Sequence, residues 1–168
     1  MKAKSSKLVK AFWSLHLPRA TYKDGLNYYG TFPEGFIKKV IGLGIVSSPS
    51  VNLCSGVSDF CDVRVDINGH SNNTLTKDAR DTGLPNEYAN FVMLDPYYSK
   101  EDFEKVGQKY ISVYDFLKEA YRITKKGGYI AVLHNRPPRK PKDTILTHLI
   151  AISVGPDRLL RCLQVFRK

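Results

Sequence analysis

The chain is poor in the residues that build cross-linked or metal-held frameworks. It has three cysteines, Cys54, Cys61 and Cys162, an odd set with no paired-ligand spacing. A disulfide scaffold and a zinc site are therefore not expected, no metal is assigned, and a reducing, cytoplasmic setting is favoured. Long apolar runs are lacking too. None approaches the ~20 residues of a membrane helix, so no membrane partner is expected. The basic start, Met1–Lys10, has no apolar stretch or small-residue cleavage site behind it, which argues against a secretory signal. Acidic residues are also in deficit, with 16 Asp and Glu against 26 Lys and Arg, a formal charge of +10.

What is present fits one compact domain of 168 residues with 42% hydrophobic residues. The positive charge is not spread evenly. Residues 1–25 carry a net +5 and residues 136–168 a net +6, while the 110 residues between them carry −1. Clustered Lys and Arg gain free energy by releasing counterions from phosphates, so nucleic acid is the expected partner. The candidate contacts are Lys4, Lys7, Lys10, Arg136, Arg139, Lys140 and Lys142. Solubility is the competing reading of the same charge.

From Val51 onward, short apolar runs alternate with turn signals. Ser50–Cys54 ends at Ser55-Gly56, and Asp62–Ile67 alternates with period two and ends at Asn68-Gly69. Asn90–Leu94 is a continuous apolar run of the buried parallel type, stopped by Asp95-Pro96. Ser112–Lys125 has helical spacing, with Lys125-Lys126-Gly127-Gly128 read as its C-terminal stop. Tyr129–Leu133 is the next strand, and Thr147–Val154 with Leu159–Phe166 reads as a hairpin. Pro33–Leu43 is expected to be a helix with Phe36, Ile37, Val40 and Ile41 on one face. This order predicts a three-layer α/β domain whose mostly parallel sheet is closed by an antiparallel hairpin.

In open parallel sheets, ligands bind beyond the carboxyl ends of the strands. Those ends carry Cys54-Ser55-Gly56, Asp66, Lys77-Asp78-Ala79 and Asp95-Pro96-Tyr97-Tyr98. Three of the four hold a carboxylate, and the first offers small residues that let a ligand approach the backbone.

These residues resemble those of class I, Rossmann-like S-adenosylmethionine-dependent methyltransferases, close to the enzymes that methylate exocyclic amino groups of nucleic-acid bases. Asp95-Pro96-Tyr97-Tyr98 is similar to the family's Asp-Pro-Pro-Tyr tetrad, and Leu117–Gly128 resembles the shared helix-to-strand segment. The similarity runs from Tyr28–Pro33 to Leu163–Phe166. It implies a seven-stranded sheet and S-adenosyl-L-methionine as cofactor. It implies that Tyr29, Thr31 and Pro33 touch the methionine moiety, with Cys54, Ser55 and Gly56 beneath the cofactor. Asp66 would accept from the ribose, and Asp78 from the adenine amine beside the Ala79 backbone. Asp95 and the Pro96 carbonyl would accept from the target amine, and Tyr97 or Tyr98 would stack on the base. His134, at a strand end, is either structural or a substrate contact.

The sequence departs from the pattern at Tyr97, where the family has Pro, and in a glycine turn with a single Gly. Only ten positions separate Gly56 from Asp66 and twelve separate Asp66 from Asp78. Helices are therefore expected to be missing from one face of the sheet, with a homodimer as the means of covering it. The expected organisation is one domain over 1–168, with a basic segment at 1–25, a catalytic core at 26–168 and no separate target-recognition domain. The alternatives are a methyltransferase of the same fold acting on a small molecule or protein, and a non-catalytic cofactor- or nucleic-acid-binding subunit.

Overall fold

Runs of four to six apolar residues between turn formers are too short for helices and long enough for strands, and they become the centre of a sheet. The computed structural model describes residues 7–16, 32–69, 72–105, 107–155 and 160–168. Among these the elements in order are β1 (Val9–Ser14), α1 (Phe36–Gly42), β2 (Ser50–Leu53), β3 (Val63–Asp66), β4 (Leu75–Thr76) and β5 (Ala89–Leu94). They continue with α2 (Lys100–Lys105), α3 (Val113–Ile123), β6 (Thr124–His134), β7 (Ile145–Ser153) and β8 (Arg161–Arg167). The strands form one sheet in the order β1-β7-β8-β6-β5-β2-β3-β4. β8 is antiparallel to both its neighbours, and every other pairing is parallel. This is the expected Rossmann-like α/β fold with an antiparallel hairpin, except that the sheet has eight strands rather than seven. The extra strand is β1, which runs parallel to β7 with Val9 opposite His148 and Ser14 opposite Ser153.

The alternation of side chains along buried strands divides the core in two. Val51, Leu53, Val92, Leu94, Ile130 and Val132 face α2 and α3, where Phe103, Phe116, Leu117, Ala120 and Ile123 meet them. Phe91, Met93, Ala131, Leu133, Ile150 and Val165 face Phe36 and Val40 of α1 together with Trp13. Helices are as scarce as the short gaps imply. No helix joins β2 to β3 or β3 to β4 among the described residues, and Phe60 plugs the first of these gaps by packing edge-on against Phe91 at 6.0 Å. The scarcity extends to the other face, since residues 135–144, between β6 and β7, also form no helix.

Several local readings are corrected. The helix after Pro33 begins only at Phe36, and Ile41 is 53% exposed, off the buried face. Gly127-Gly128 does not cap α3, because β6 starts directly at Thr124. The two glycines lie in a bulged stretch of β6, where the Gly127 N–H donates to the Lys168 carbonyl and the Lys168 N–H to that of Gly128. The Lys168 ammonium supplies the cap instead, donating to the Tyr121 and Thr124 carbonyls at 2.8 and 2.7 Å. No described helix is long and apolar enough to cross a membrane.

Candidate functional site

The carboxyl ends of β2, β3, β4 and β5 open into one cleft of about 210 Å³. Cys54, Gly56, Asp66, Asp78, Ala79, Asp95, Pro96, Tyr97 and Tyr98 all line it. Parallel strands in register bring these chain-distant residues together: Leu53 lies opposite both Val65 and Leu94, so the residues that follow them emerge side by side.

Cys54 and Gly56 take left-handed backbone angles, φ 57° and 53°, turning the chain sharply over the end of β2. Asp66 locks that turn. Its Oδ2 accepts from the Gly56 N–H and its Oδ1 from the Asn68 N–H, both at 2.9 Å. A carboxylate has about four acceptor positions, so each oxygen keeps capacity for a further donor such as a ribose hydroxyl. Asp78 is more committed. Arg80 donates from Nε to both of its oxygens at 2.9 and 3.0 Å, and from its backbone N–H at 2.8 Å. Those bonds hold the Asp78 carboxyl below its usual range. Burial, with the charges of Asp66, Asp95 and Asp78, raises the Cys54 thiol well above its normal pKa, which makes it a filler rather than a nucleophile.

The tetrad divides its work between its two tyrosines. The Tyr98 hydroxyl donates to Asp95 Oδ1 at 2.7 Å, its ring meets His134 edge-on at 5.0 Å, and the Arg161 guanidinium lies 5.3 Å from its centroid. Tyr98 is thus held on several sides and fixes the Asp95 carboxyl. Tyr97 packs edge-on against Phe103 at 5.4 Å and also lines the cleft. Asp95 keeps some exposure along the cleft but sits deep among protein atoms. Burial pushes its carboxyl up to about 6, against the opposing pull of the Tyr98 hydrogen bond and the Arg161 charge. Burial also raises the Tyr98 phenol well above its usual range, so it remains a donor at neutral pH. His134 accepts the Arg136 N–H on Nδ1 at 2.9 Å, which puts its proton on Nε2. Burial lowers its pKa despite that backbone bond, so the ring is neutral.

Other expected residues fall elsewhere. Ser55 is buried beneath the turn, donating to Asn73 Oδ1 at 3.3 Å, and does not line the cleft. Pro33 lines a separate depression with Val57 and Ser58, which follow the same turn in the chain. Tyr29, Thr31 and Lys4 lie outside the described residues. The basic run Arg136–Lys142 starts at the rim and then leaves it. β6 ends at the rim with His134, whereas β7 begins with Ile145 opposite Arg167, which is also the partner of Tyr129 near the opposite end of β6. Residues 135–144 therefore descend the full height of the sheet, but the Arg139 N–H still donates to the Tyr114 hydroxyl at the start of α3 at 3.1 Å, whereas the Lys140 ammonium donates to the Thr144 carbonyl just before β7. Lys7, just before β1, lies toward that lower end, and Lys10 sits opposite Leu149, midway along β7.

The sequence reading missed Ile67, Asn68, Asp102, Phe103, Gln108, Ile111, Phe116 and Arg161, which complete the lining. One signal was available for α2. Ser99-Lys100-Glu101-Asp102 is a capping pattern, and the Ser99 hydroxyl accepts the Asp102 N–H at 3.2 Å. Nothing local marks Arg161, which is far from the tetrad in the chain.

No family model and no curated protein matches the chain. Solved structures do. The crystal structure of TrmN from Thermus thermophilus matches with a TM-score of 0.57 and 18% identity, over 83% of this chain and 50% of that one. A SAM-dependent methyltransferase from Aquifex aeolicus matches at 13% identity over 79% and 90% of the two chains, with a TM-score of 0.45. The likeness to TrmN is one of fold, and this chain spans half the length of that structure.

Proposed function

We propose that this protein is an S-adenosylmethionine-dependent methyltransferase acting on an exocyclic amino group of a nucleic-acid base. One observation carries the reading: a single cleft holds the small-residue turn, the Asp66 and Asp78 carboxylates and, at its other side, an Asp-Pro step with a raised pKa. The donor set fits the cofactor. Asp66 retains acceptor capacity for a diol, and Ile67, Ile111 and Phe116 supply apolar walls for a purine beside Ala79. Asp78 would accept an adenine amine only by sharing its oxygens with Arg80. The bound cofactor supplies an electrophilic methyl group on a sulfonium sulfur.

The chain's own residues prepare the acceptor. An exocyclic amine is a poor nucleophile because its lone pair is delocalised into the ring. Tyr98 occupies Asp95 Oδ1 and leaves Oδ2 to accept one amine proton. The Pro96 carbonyl is the second acceptor in this reading. Two acceptors favour the pyramidal geometry that frees the lone pair, and fixed placement supplies much of the rate gain. A carboxyl titrating near 6 is suited to hold the proton released when the nitrogen is alkylated. Tyr97, with its ring edge anchored on Phe103, is the better placed of the two tyrosines to contact a base swung from its stack. Nucleic acid is the partner in this proposal, through Lys7, Lys10, Arg136, Arg139, Lys140 and Lys142. So is a homodimer covering a thinly protected face of the sheet.

The test is transfer of a tritiated methyl group to panels of DNA, RNA and protein, followed by nucleoside analysis. Label in an N-methylated nucleoside supports the reading. Label only in protein or a small molecule moves the acceptor class, and absence of cofactor binding by calorimetry leaves a non-catalytic subunit. Asp95→Ala is expected to retain cofactor affinity and lose transfer by at least about a hundredfold. Retained transfer would put the amine acceptor elsewhere.

A further inference from the structure

Among the described residues that line the cleft, the acids outnumber the cations four to one. Asp78 is paired with Arg80, and Asp102 lies 3.8 Å from Lys105. The lining cation is Arg161, and its guanidinium donors meet no acceptor among the described residues. Its contact is with the Tyr98 ring. Stacking on Tyr98 and drawing down the Asp95 pKa by its charge both leave its N–H donors unused. Its planar fork of N–H groups, ordered by stacking, is suited to a phosphate or carboxylate arriving from solution.

Topology decides which ligand that anion belongs to. Arg161 opens β8, which neighbours β6 on the side away from β5, whereas the cofactor-side residues follow β2, β3 and β4. Asp95, at the end of β5, stands between the two groups. An anion on Arg161 therefore lies on the acceptor side of the amine-binding carboxylate.

We infer that Arg161 is a binding contact for a phosphate of the acceptor, next to the base whose amine Asp95 receives. This rests on the methyltransferase reading and adds the residue that would hold the acceptor's phosphate beside the reacting base. Such a contact would position the target nucleotide without reading its base, since phosphate contacts fix register and carry no sequence information.

The experiment measures binding rather than transfer, so its outcome is separable from that of the parent reading. Wild type and R161Q are titrated with a fluorescently labelled, mixed-sequence single-stranded RNA decamer in the presence of S-adenosylhomocysteine, over a range of salt. R161Q is expected to bind about tenfold more weakly. Its logarithmic salt slope should be shallower by about 0.7, the value for one lost phosphate contact on a single strand. Cofactor affinity by calorimetry should be unchanged. Mixed nucleoside 5′-monophosphates and the corresponding nucleosides serve as competitors. Competition by the monophosphates alone, with no binding of the decamer, would make the source a free nucleotide. In wild type, inorganic phosphate should shift the Arg161 Nε–H resonance saturably, identified by its loss in R161K. That measurement holds even if R161Q does not fold. An unmoved resonance overturns the inference, as does an R161Q protein with the wild-type affinity and slope. Loss of cofactor affinity and of thermal stability without a change in slope would also overturn it, leaving Arg161 as support for Tyr98. Failure of the parent reading shows separately, as Arg161-dependent binding of a nucleic acid that is never methylated.

Discussion

Asp95 combines two demands that pull its environment in opposite directions. In its proposed role as amine acceptor it must be ionised, yet its position deep in the cleft raises its pKa to about 6. A carboxyl whose folded pKa lies above its unfolded value favours the fold most below pH ~4, and that contribution is lost as pH rises through about 6. A carboxyl held near 6 instead of at its ordinary value corresponds to roughly 3 kcal/mol. Asp95→Asn is therefore expected to be more stable than wild type at pH 7.5 by up to that amount, with the difference closing near pH 4. Urea denaturation at several pH values checks this. Transfer by wild type should follow the opposite course, falling on the acid side with an apparent pKa near 6. A flat pH–rate profile between 5 and 8 would mean that Asp95 is not the titrating acceptor. Tyr98 carries the same logic one bond outward, because its high phenol pKa keeps it a donor wherever Asp95 is a carboxylate.

At the scale of elements, the junction of α3 and β6 holds the tetrad strand in place. α3 is cut out by Ser112, whose hydroxyl accepts the Tyr114 N–H, and is stopped without a glycine cap. The chain enters β6 through the bulge opposite Asn90, where an added Cβ on Gly128 would stand 2.8 Å from the Asn90 carbonyl and 3.0 Å from that of Lys125. Both are backbone atoms and cannot swing aside. Gly128→Ala is thus expected to destabilise the protein by roughly 3 kcal/mol, read as a lowered denaturation midpoint at unchanged slope. The loop before β5 is tied to the same helix. Glu119, 5% exposed, accepts from the Thr82 backbone and hydroxyl at 2.9 and 2.6 Å and pairs with Arg122. Burial raises the Glu119 carboxyl, but those partners outweigh it and the net shift is downward. A polar network thus anchors the loop between β4 and β5 to α3 where, among the described residues, no helix joins the two strands.

Over the whole molecule, the charge and the sheet are arranged at different ends. The carboxylates gather at the carboxyl ends of the strands, while the basic run after β6 descends toward the opposite end, where Lys7 also lies. With nucleic acid as the proposed partner, long-range attraction and local capture would fall on separate parts of the surface. Replacing Lys7, Lys140 and Lys142 together by Gln should lower single-stranded RNA affinity uniformly across sequences. The logarithmic salt slope should fall by about 0.7 for each phosphate contact removed. An unchanged slope in fluorescence anisotropy would make these lysines a solubility feature.

The sequence by itself determined the order of the strands along the chain, the antiparallel closing pair and the strand-end residues Gly56, Asp66, Asp78 and Asp95. Each of these is written in a local pattern, such as a short apolar run, a turn former or a carboxylate after a strand. Tertiary structure alone decided the eighth strand, because β1 owes its place to pairing with β7 rather than to any periodicity of its own. It likewise decided that Asp66 locks the turn at Gly56, that Tyr98 serves Asp95, and that Arg161 reaches the cleft. The first and last of these join residues ten and sixty-three positions apart, and register across the sheet, not propensity along the chain, brings them within reach.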